Sequence, residues 1–189
     1  MTADPSRRLA GRRIAVFGSS TLTESAPGWD LAVRLGGALA RSGAGILNGG
    51  YGGAMAAVSR GARIAGGHVI GVTLDGFRDR VPNPHLSDRV HTDTLLERLG
   101  VLFQAEGFVA LEGSVGTLTE LFLAWNHAIL ERRSPRPLIC LGQAWPGFLA
   151  ALQSLQLVDD PDLLSLVEWS RDPDEAIAAL TRRLGGMRG

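Results

Sequence analysis

The sequence predicts a single-domain α/β fold, a Rossmann-like, mostly parallel sheet that is doubly wound by helices. Short, continuously apolar runs alternate along the chain with longer segments whose apolar residues recur at helical spacing. Because these runs lack polar alternation, they are typical of parallel strands covered on both faces. With 189 residues, 45% of them hydrophobic, the chain can bury one sizeable core. We therefore predict an N-terminal tail at 1–12 and one domain at 13–189.

The elements are predicted in order from apolar runs and from the Gly and Ser residues that end them. The run RIAVFGSS predicts the first strand, GILN the second, HVIGVTL the third, GFVAL the fourth and PLICLG the fifth. Apolar residues at helical spacing predict helices over 29–43, 54–67, 92–104, the segment from Gly116, 145–156 and 172–184. The polar, proline-containing stretch 75–91 is predicted to be irregular.

Three loops that follow predicted strands are rich in Gly and Ser: 18–20, 48–53 and 112–117. In doubly wound sheets, ligands bind beyond the carboxyl ends of the strands, where these loops lead into helices. Glycine lets backbone approach a ligand closely, and helix N-termini favour anions. The pattern favours a phosphorylated small molecule, although tight turns also use glycine for steric reasons alone.

Composition excludes several classes of function. All 19 basic residues are arginines, so a Walker-type phosphate loop and Schiff-base chemistry, which need a lysine, are excluded. The zero net charge argues against nucleic acid as a partner. No apolar run approaches the roughly 18 residues of a membrane span, and the N-terminus lacks a secretory signal, so we expect no membrane association and a cytoplasmic location.

Metal and redox chemistry have little support in the sequence. Cys140 is the single cysteine and lies in an apolar run, which predicts a buried structural thiol. The four histidines show no metal-ligand spacing. The GYGGAM segment lacks the third glycine of the dinucleotide fingerprint and follows the second strand. We therefore expect no metal and no cofactor.

Four motifs in order resemble the LOG family, a lysine-decarboxylase-like group that includes cytokinin riboside 5′-monophosphate phosphoribohydrolases. EGSVGTLTE resembles the family motif PGGxGTxxE, and VFGSS is similar to its first-strand loop. GGYGGAM is similar to the GGxxGLMG segment, and ERLGVLF to the arginine-bearing helix. The resemblance spans Arg13 to Leu141.

The resemblance implies hydrolysis of the N-glycosidic bond of a nucleoside 5′-monophosphate by a phosphoribohydrolase. Glu120 would be catalytic together with Arg98. Ligand and phosphate would be held by Gly18, Ser19, Gly49, Gly50, Gly53, Met55, Gly113, Ser114, Gly116 and Thr117. The partner would be a small-molecule nucleotide. We also expect a homodimer, as is usual in the family, because the helix over 122–130 is apolar around much of its circumference.

Alternatives remain open for the key residues. Thr117 and Glu120 fit the capping box S/T-x-x-E, which would give both a purely structural role. The apolar stripe Leu118, Leu121, Phe122, Trp125 and Ile129 would leave Glu120 beside the buried face. Arg98 could equally be a solvent-facing arginine beside Glu97. Glu112 and Ser114 depart from the family motif, and a carboxylate at 112 would repel phosphate. A non-catalytic carrier or sensor of a phosphorylated ligand, like the related molybdenum-cofactor carriers, is the alternative function.

Overall fold

Seven parallel strands form one sheet in the order β4-β3-β2-β1-β5-β6-β7. The computed structural model describes residues 7–75, 80–131, 133–158 and 160–186. The strands are β1 (Arg13–Phe17), β2 (Gly45–Asn48), β3 (Val69–Leu74), β4 (Asp88–Thr92), β5 (Gly107–Leu111), β6 (Leu138–Leu141) and β7 (Val167–Ser170). The helices are α1 (Pro27–Arg41), α2 (Ala54–Ile64), α3 (Leu95–Leu102), α4 (Val115–Leu130), α5 (Trp145–Ser154), α6 (Pro161–Leu164) and α7 (Pro173–Gly185).

The strand order places a switch point between β1 and β5. From β1 the chain builds outward through β2 and β3 to β4, and it then returns to pair β5 against the other side of β1. Loops that leave β1 and β5 therefore diverge at the carboxyl edge and open a crevice between them. The predicted doubly wound parallel fold is confirmed.

Helices cover both faces of the sheet. The core on one face comprises residues of α1, α2 and α7, and the core on the other comprises residues of α3, α4 and α5. Cys140 is fully buried in β6, as predicted, and burial raises the pKa of its thiol to about 12. Within the part of the chain that the structure describes, no helix combines the length and the apolar character that crossing a membrane would require.

Two strands were missed by the sequence analysis, and both lie at the sheet edges. β4 falls in the stretch predicted to be irregular and is largely exposed, and β7 was not predicted at all. An edge strand pairs on one side only and can expose polar residues, so it lacks the continuous apolar signal of the inner strands. The domain boundary at Arg13 remains a prediction, although Leu9 is already buried and donates its amide N–H to the Ser42 carbonyl.

The buried stripe of α4 differs from the predicted one. Leu121 and Trp125 are buried as expected, whereas the Phe122 side chain is 41% exposed. The buried positions are completed by small residues, Ala124 and Ala128. The predicted stripe contained only large apolar side chains. Because Ala124 and Ala128 also belong to the buried face of α4, that face is centred closer to them than predicted.

Helices α1 and α2 cross at two glycines. A Cβ added to Gly36 would lie 2.0 Å from the Val58 carbonyl oxygen, and one added to Gly61 would lie 1.9 Å from the Val33 carbonyl oxygen. Both distances are far inside van der Waals contact, so any side chain at either position forces the helices apart. This contact fixes α2, whose first turn borders the crevice.

We predict that Gly61→Ala destabilises the fold. Overpacking at a backbone contact should lower the free energy of unfolding by about 1–3 kcal/mol, measured by urea denaturation. Gly100→Ala is the matched control, because Gly100 lies within α3 with nothing within 4 Å of an added Cβ. The control should be stabilised by up to about 1 kcal/mol through helix propensity. If Gly61→Ala and Gly100→Ala changed the free energy of unfolding equally, the close contact at Gly61 would not be what limits the packing of α1 against α2.

Candidate active site

An open cleft of about 320 Å³ lies at the carboxyl edge of the sheet. Its walls come from the loops after β1 and β2 and from the first turns of α3 and α4. Seven residues predicted from the sequence line it: Gly18, Met55, Arg98, Ser114, Gly116, Thr117 and Glu120. It is also lined by Ser20, Tyr51, Arg80, Leu95, Leu99 and Thr119. Tyr51 and Arg80 were not predicted, because no local pattern marks a residue that reaches the cleft only through tertiary packing.

The N-terminus of α4 forms one wall. The N-cap is Ser114, whose side chain makes no capping hydrogen bond and is exposed at the cleft. The first backbone N–H groups of a helix have no partner within the helix and carry a partial positive charge. Gly116 is open to the cleft, with nothing within 4 Å of an added Cβ. This turn can therefore receive an anion.

Glu120 does not form a capping box with Thr117. Because α4 begins at Val115, Thr117 is the third helical residue and Glu120 lies in the second turn, beyond reach of the N-cap amide. The capping-box interpretation is therefore wrong. A capping box does exist on α3, where the amide of Glu97 donates to the Thr94 hydroxyl at 3.2 Å and the Glu97 carboxylate accepts from the Thr94 amide at 3.2 Å.

Arg98 does not face solvent. It is 8% exposed, and its guanidinium carbon lies 5.6 Å from the centre of the Tyr51 ring. A Cβ at position 49 would lie 2.0 Å from Nη2 of Arg98 and 2.7 Å from Sδ of Met55, so Gly49 leaves the room that the guanidinium occupies. The interpretation of Arg98 as a surface arginine is therefore wrong.

Glu120 and Arg98 perturb each other's ionisation. Burial raises the pKa of Glu120 to about 7, and the positive charge of Arg98 acts in the opposite direction. Burial lowers the pKa of Arg98, and Glu120 and Tyr51 oppose that effect while Arg80 adds to it. A carboxyl that exchanges its proton near neutral pH is suited to proton transfer or to charge stabilisation at physiological pH.

The other predicted glycines lie behind the cleft and bring its loops together. Gly53 has a φ of +67°, and a Cβ there would lie 2.2 Å from the Ser19 carbonyl oxygen. That carbonyl accepts the amide N–H of Ala54 at 2.7 Å, which joins the first loop to the start of α2. Gly50 lies instead against Gly71 and Thr73 of β3, and Gly113 lies against the Thr117 side chain.

Glu112, which departs from the family motif, is held away from the α4 turn. Its carboxylate accepts the amide N–H of Ala144 at 2.7 Å, at the start of α5. A second close contact is with Gly142, where an added Cβ would lie 2.6 Å from the same carboxylate oxygen. The carboxylate therefore neutralises part of the α5 N-terminus rather than projecting into the cleft.

One grouping of potential metal ligands lies at the ends of β3 and β4. Single ligand atoms of Asp75, His91 and Asp93 all fall within 4.8 Å of one another, and all three residues are exposed. Nε2 of His91 lies 3.0 Å from a carboxylate oxygen of Asp75, a contact that accounts for the proximity of these two residues without a metal. The spacing of the histidines gave no sign of this grouping, because the ligands come from two neighbouring strands.

The fold and the cleft define a Rossmann-like α/β protein with an open cleft at the switch point, lined by a helix N-terminus, a half-buried carboxyl and a buried arginine. The chain belongs to the SLOG cluster4 family, whose model matches residues 11–144. It is 38% identical over 104 residues to the cytokinin riboside 5′-monophosphate phosphoribohydrolase of Mycobacterium tuberculosis. That match covers 53% of this chain and 56% of the relative, so the chain spans little more than half the relative's length.

Solved structures of molybdenum-cofactor proteins share the fold. The molybdenum cofactor carrier protein of Chlamydomonas reinhardtii has a TM-score of 0.70 and 27% identity, over 92% of this chain and 98% of that one. The molybdenum cofactor binding protein of Rippkaea orientalis has a TM-score of 0.72 at 22% identity, over 92% and 97% of the two chains, which shows the fold alone. The family predicted from the sequence is thus confirmed by the family model and by the phosphoribohydrolase relative.

We predict that Glu120→Gln becomes more stabilising as pH rises. The folded-state pKa of about 7 lies above the ordinary carboxyl pKa of 4.5, so the folded state favours the protonated carboxyl and the wild type loses stability between about pH 4.5 and 7. Glutamine does not titrate. The melting temperature of the variant should therefore match wild type near pH 5 and exceed it at pH 8.

Glu97→Gln is the control for this measurement. It alters a carboxylate that does cap a helix and should lower stability by roughly a few tenths to 1 kcal/mol at pH 8. If Glu120→Gln also lowers the melting temperature at pH 8, Glu120 stabilises the fold as a charged group and the burial argument fails.

Proposed function

We propose that the chain hydrolyses the N-glycosidic bond of a nucleoside 5′-monophosphate, releasing the free base and ribose 5-phosphate. One observation carries this proposal: Glu120, with its raised pKa, and Arg98 line the same cleft as the anion-receptive turn of α4. The name of the Mycobacterium tuberculosis relative supports the reaction class. The proposed site residues are Glu120 and Arg98, together with the other predicted residues that line the same cleft: Gly18, Met55, Ser114, Gly116 and Thr117.

The 5′-phosphate would bind at the N-terminus of α4. The backbone N–H groups of the first turn, from Val115 to Thr117, and the Ser114 hydroxyl would donate hydrogen bonds to its oxygens. A phosphate fixed there places the ribose within the cleft, toward the second turn of α4. The distance along the helix between Ser114 and Glu120 leaves room for a sugar between phosphate site and carboxylate.

The carboxylate of Glu120 would act on the ribose. As the C1′–N bond breaks, its electron pair moves to the base nitrogen and positive charge develops on the sugar. A fixed carboxylate stabilises that charge and accepts a proton from the attacking water, whose oxygen bonds to C1′. The proton that Glu120 accepted from water passes to the base nitrogen, directly or through a second water molecule. This restores the carboxylate and releases the neutral base and ribose 5-phosphate. Arg98 favours the ionised form of Glu120 that this step needs.

A non-catalytic carrier of a phosphorylated ligand is the second candidate. It is supported by the likeness in structure to the Chlamydomonas reinhardtii carrier, which is 27% identical over 92% of the chain. A carrier needs the anion-binding turn of α4 but has no use for a carboxyl that titrates near pH 7. The two functions therefore differ in their need for Glu120: the hydrolase requires its carboxylate, and the carrier does not.

We predict that the wild type releases base and ribose 5-phosphate from at least one member of a panel of nucleoside 5′-monophosphates, followed by chromatography. Glu120→Gln should slow that release by roughly a hundredfold or more, because it removes the charge that stabilises the transition state. Nucleotide affinity, measured by calorimetry, should change little because the α4 turn is intact.

Glu175→Gln serves as the control and should keep wild-type turnover, since the Glu175 carboxylate accepts the amide N–H of Arg171 at 2.8 Å at the start of α7, outside the cleft. A Glu120→Gln variant that turns over as fast as wild type would exclude Glu120 from the chemistry. If both proteins bind a nucleotide and neither cleaves any, the carrier function replaces the hydrolase.

We predict that Gly116→Leu abolishes nucleotide binding without loss of stability. The position is exposed with nothing within 4 Å of an added Cβ, so the new side chain fits the fold but fills the cleft beside the phosphate site. Gly147→Leu is the matched control, because Gly147 lies in the first turn of α5 with equally open surroundings. Binding of adenosine 5′-monophosphate should be lost in the first variant only; equal loss in both would point away from the α4 turn.

We also propose that two copies pair through α4. Val115, Phe122 and Leu130 on this helix are 78%, 41% and 77% exposed, a set of large apolar side chains that a second copy would cover. Light scattering at micromolar concentration should give the mass of two chains, and Phe122→Arg should halve it. Leu155→Arg, at an exposed leucine after α5, should leave the mass unchanged. A wild type with the mass of one chain would contradict the pairing.

A further inference from the structure

Tyr51 is a buried aromatic residue of the cleft wall to which the proposed reaction assigns no task. It is 4% exposed, and its hydroxyl both donates to the Leu74 carbonyl at 3.1 Å and accepts from the Leu74 amide at 2.8 Å. Its own carbonyl accepts a hydrogen bond from Asn83 at 3.1 Å. Both ends of the residue are thus fixed, the ring tip to the end of β3 and the backbone to the segment before β4.

The fixed ring lies against the guanidinium of Arg98. The guanidinium carbon is 5.6 Å from the ring centre, within the range of a cation–π contact. Nη2 of the same guanidinium abuts Gly49, where an added Cβ would lie 2.0 Å away, so only the absence of a side chain leaves room. Arg98 is therefore seated against both an aromatic ring and a glycine backbone, and a guanidinium seated in this way has few other positions to occupy.

Position matters because Arg98 influences Glu120 through charge. The charged groups that face this region are Arg98 on α3, Glu120 on α4 and Arg80 before β4, with the Tyr51 phenol beside them. The interaction between two charges falls with their separation, so a guanidinium that leaves its seat loses part of its effect on the carboxyl.

We propose that Tyr51 is a positioning residue, which holds the Arg98 guanidinium in the cleft and through it keeps Glu120 in the presence of a fixed positive charge. The hydroxyl anchors the ring on β3, and the ring face seats the arginine. An effect of Tyr51 on turnover rests on the proposed function. The position of Arg98 against the Tyr51 ring is a property of the folded chain and is measured without substrate.

The test is a double-mutant cycle on the ionisation of Glu120. The side-chain carboxyl is followed by carbon NMR between pH 4 and 9 and identified by its absence in Glu120→Gln. In Tyr51→Leu the pKa of Glu120 should rise by about 0.5 or more, since Arg98 no longer holds it down. Arg98→Gln should raise it as well. In a chain that already carries Arg98→Gln, adding Tyr51→Leu should raise the pKa of Glu120 by less than about 0.2 further, because the effect of Tyr51 on Glu120 passes through the arginine.

Trp169→Leu is the matched control. It removes another aromatic ring under an arginine, with the guanidinium carbon of Arg171 5.3 Å from the ring centre, and it lies outside the cleft. The titration of Glu120 should be unchanged in this variant. If Tyr51→Leu fails to fold, Tyr51→Phe enters the same cycle; it keeps the ring but loses both hydrogen bonds to Leu74, and the pKa of Glu120 should rise in the same direction.

Two results would overturn the proposal. One is an unchanged titration of Glu120 in the folded Tyr51 variant, and the other is an equal rise with and without Arg98, which would show that Tyr51 acts on Glu120 by packing alone. Neither result depends on hydrolysis. If the protein cleaves no nucleotide but the double-mutant cycle gives the expected pKa changes, the proposed function is wrong and the role of Tyr51 in positioning Arg98 still holds.

Discussion

The burial of the Arg98 guanidinium is the constraint around which the cleft is arranged. Removing a charge from water is costly unless other groups compensate for the lost hydration. Here the compensating groups are the Tyr51 ring and the carboxyl of Glu120, while Gly49 leaves the room that the guanidinium occupies. The same burial raises the pKa of Glu120, so one desolvated region perturbs both groups.

The placement of this pair depends on contacts outside the cleft. The capping box of Thr94 and Glu97 fixes where α3 begins, and Arg98 follows directly in its first turn. On the opposite wall, the parallel pairing of β1 with β5 brings their loops together, and the amide of Ser19 donates to the Glu112 carbonyl at 3.3 Å. A small shift of α3 or of the β5 loop would separate arginine from carboxylate, so the proposed chemistry depends on secondary-structure boundaries as well as on the two residues.

The relatives share the fold, but their names give them different functions. The structure of the cleft offers a reason for this difference. A turn that receives phosphate at a helix N-terminus serves binding of any phosphorylated ligand, in an enzyme or in a carrier. In this chain Glu112 stands where the family motif has proline, and its carboxylate accepts the Ala144 amide N–H instead of projecting into the cleft. The proposed reaction requires something further than phosphate binding, and the pair of Arg98 and Glu120 is the feature that a carrier would not need.

The sequence by itself determined the inner strands, the alternation with helices and the position of the α4 turn, because buried strands and glycine-ended turns are marked by local composition. Tertiary structure alone decided the rest. The edge strand β4 is exposed and lacks an apolar signal. Glu120 fitted a capping box by spacing, yet the extended backbone of Ser114, with φ −99° and ψ −161°, starts α4 earlier. The burial of Arg98 depends on Tyr51 and Gly49, which lie nearly fifty residues away in the chain, and such a contact leaves no periodic trace.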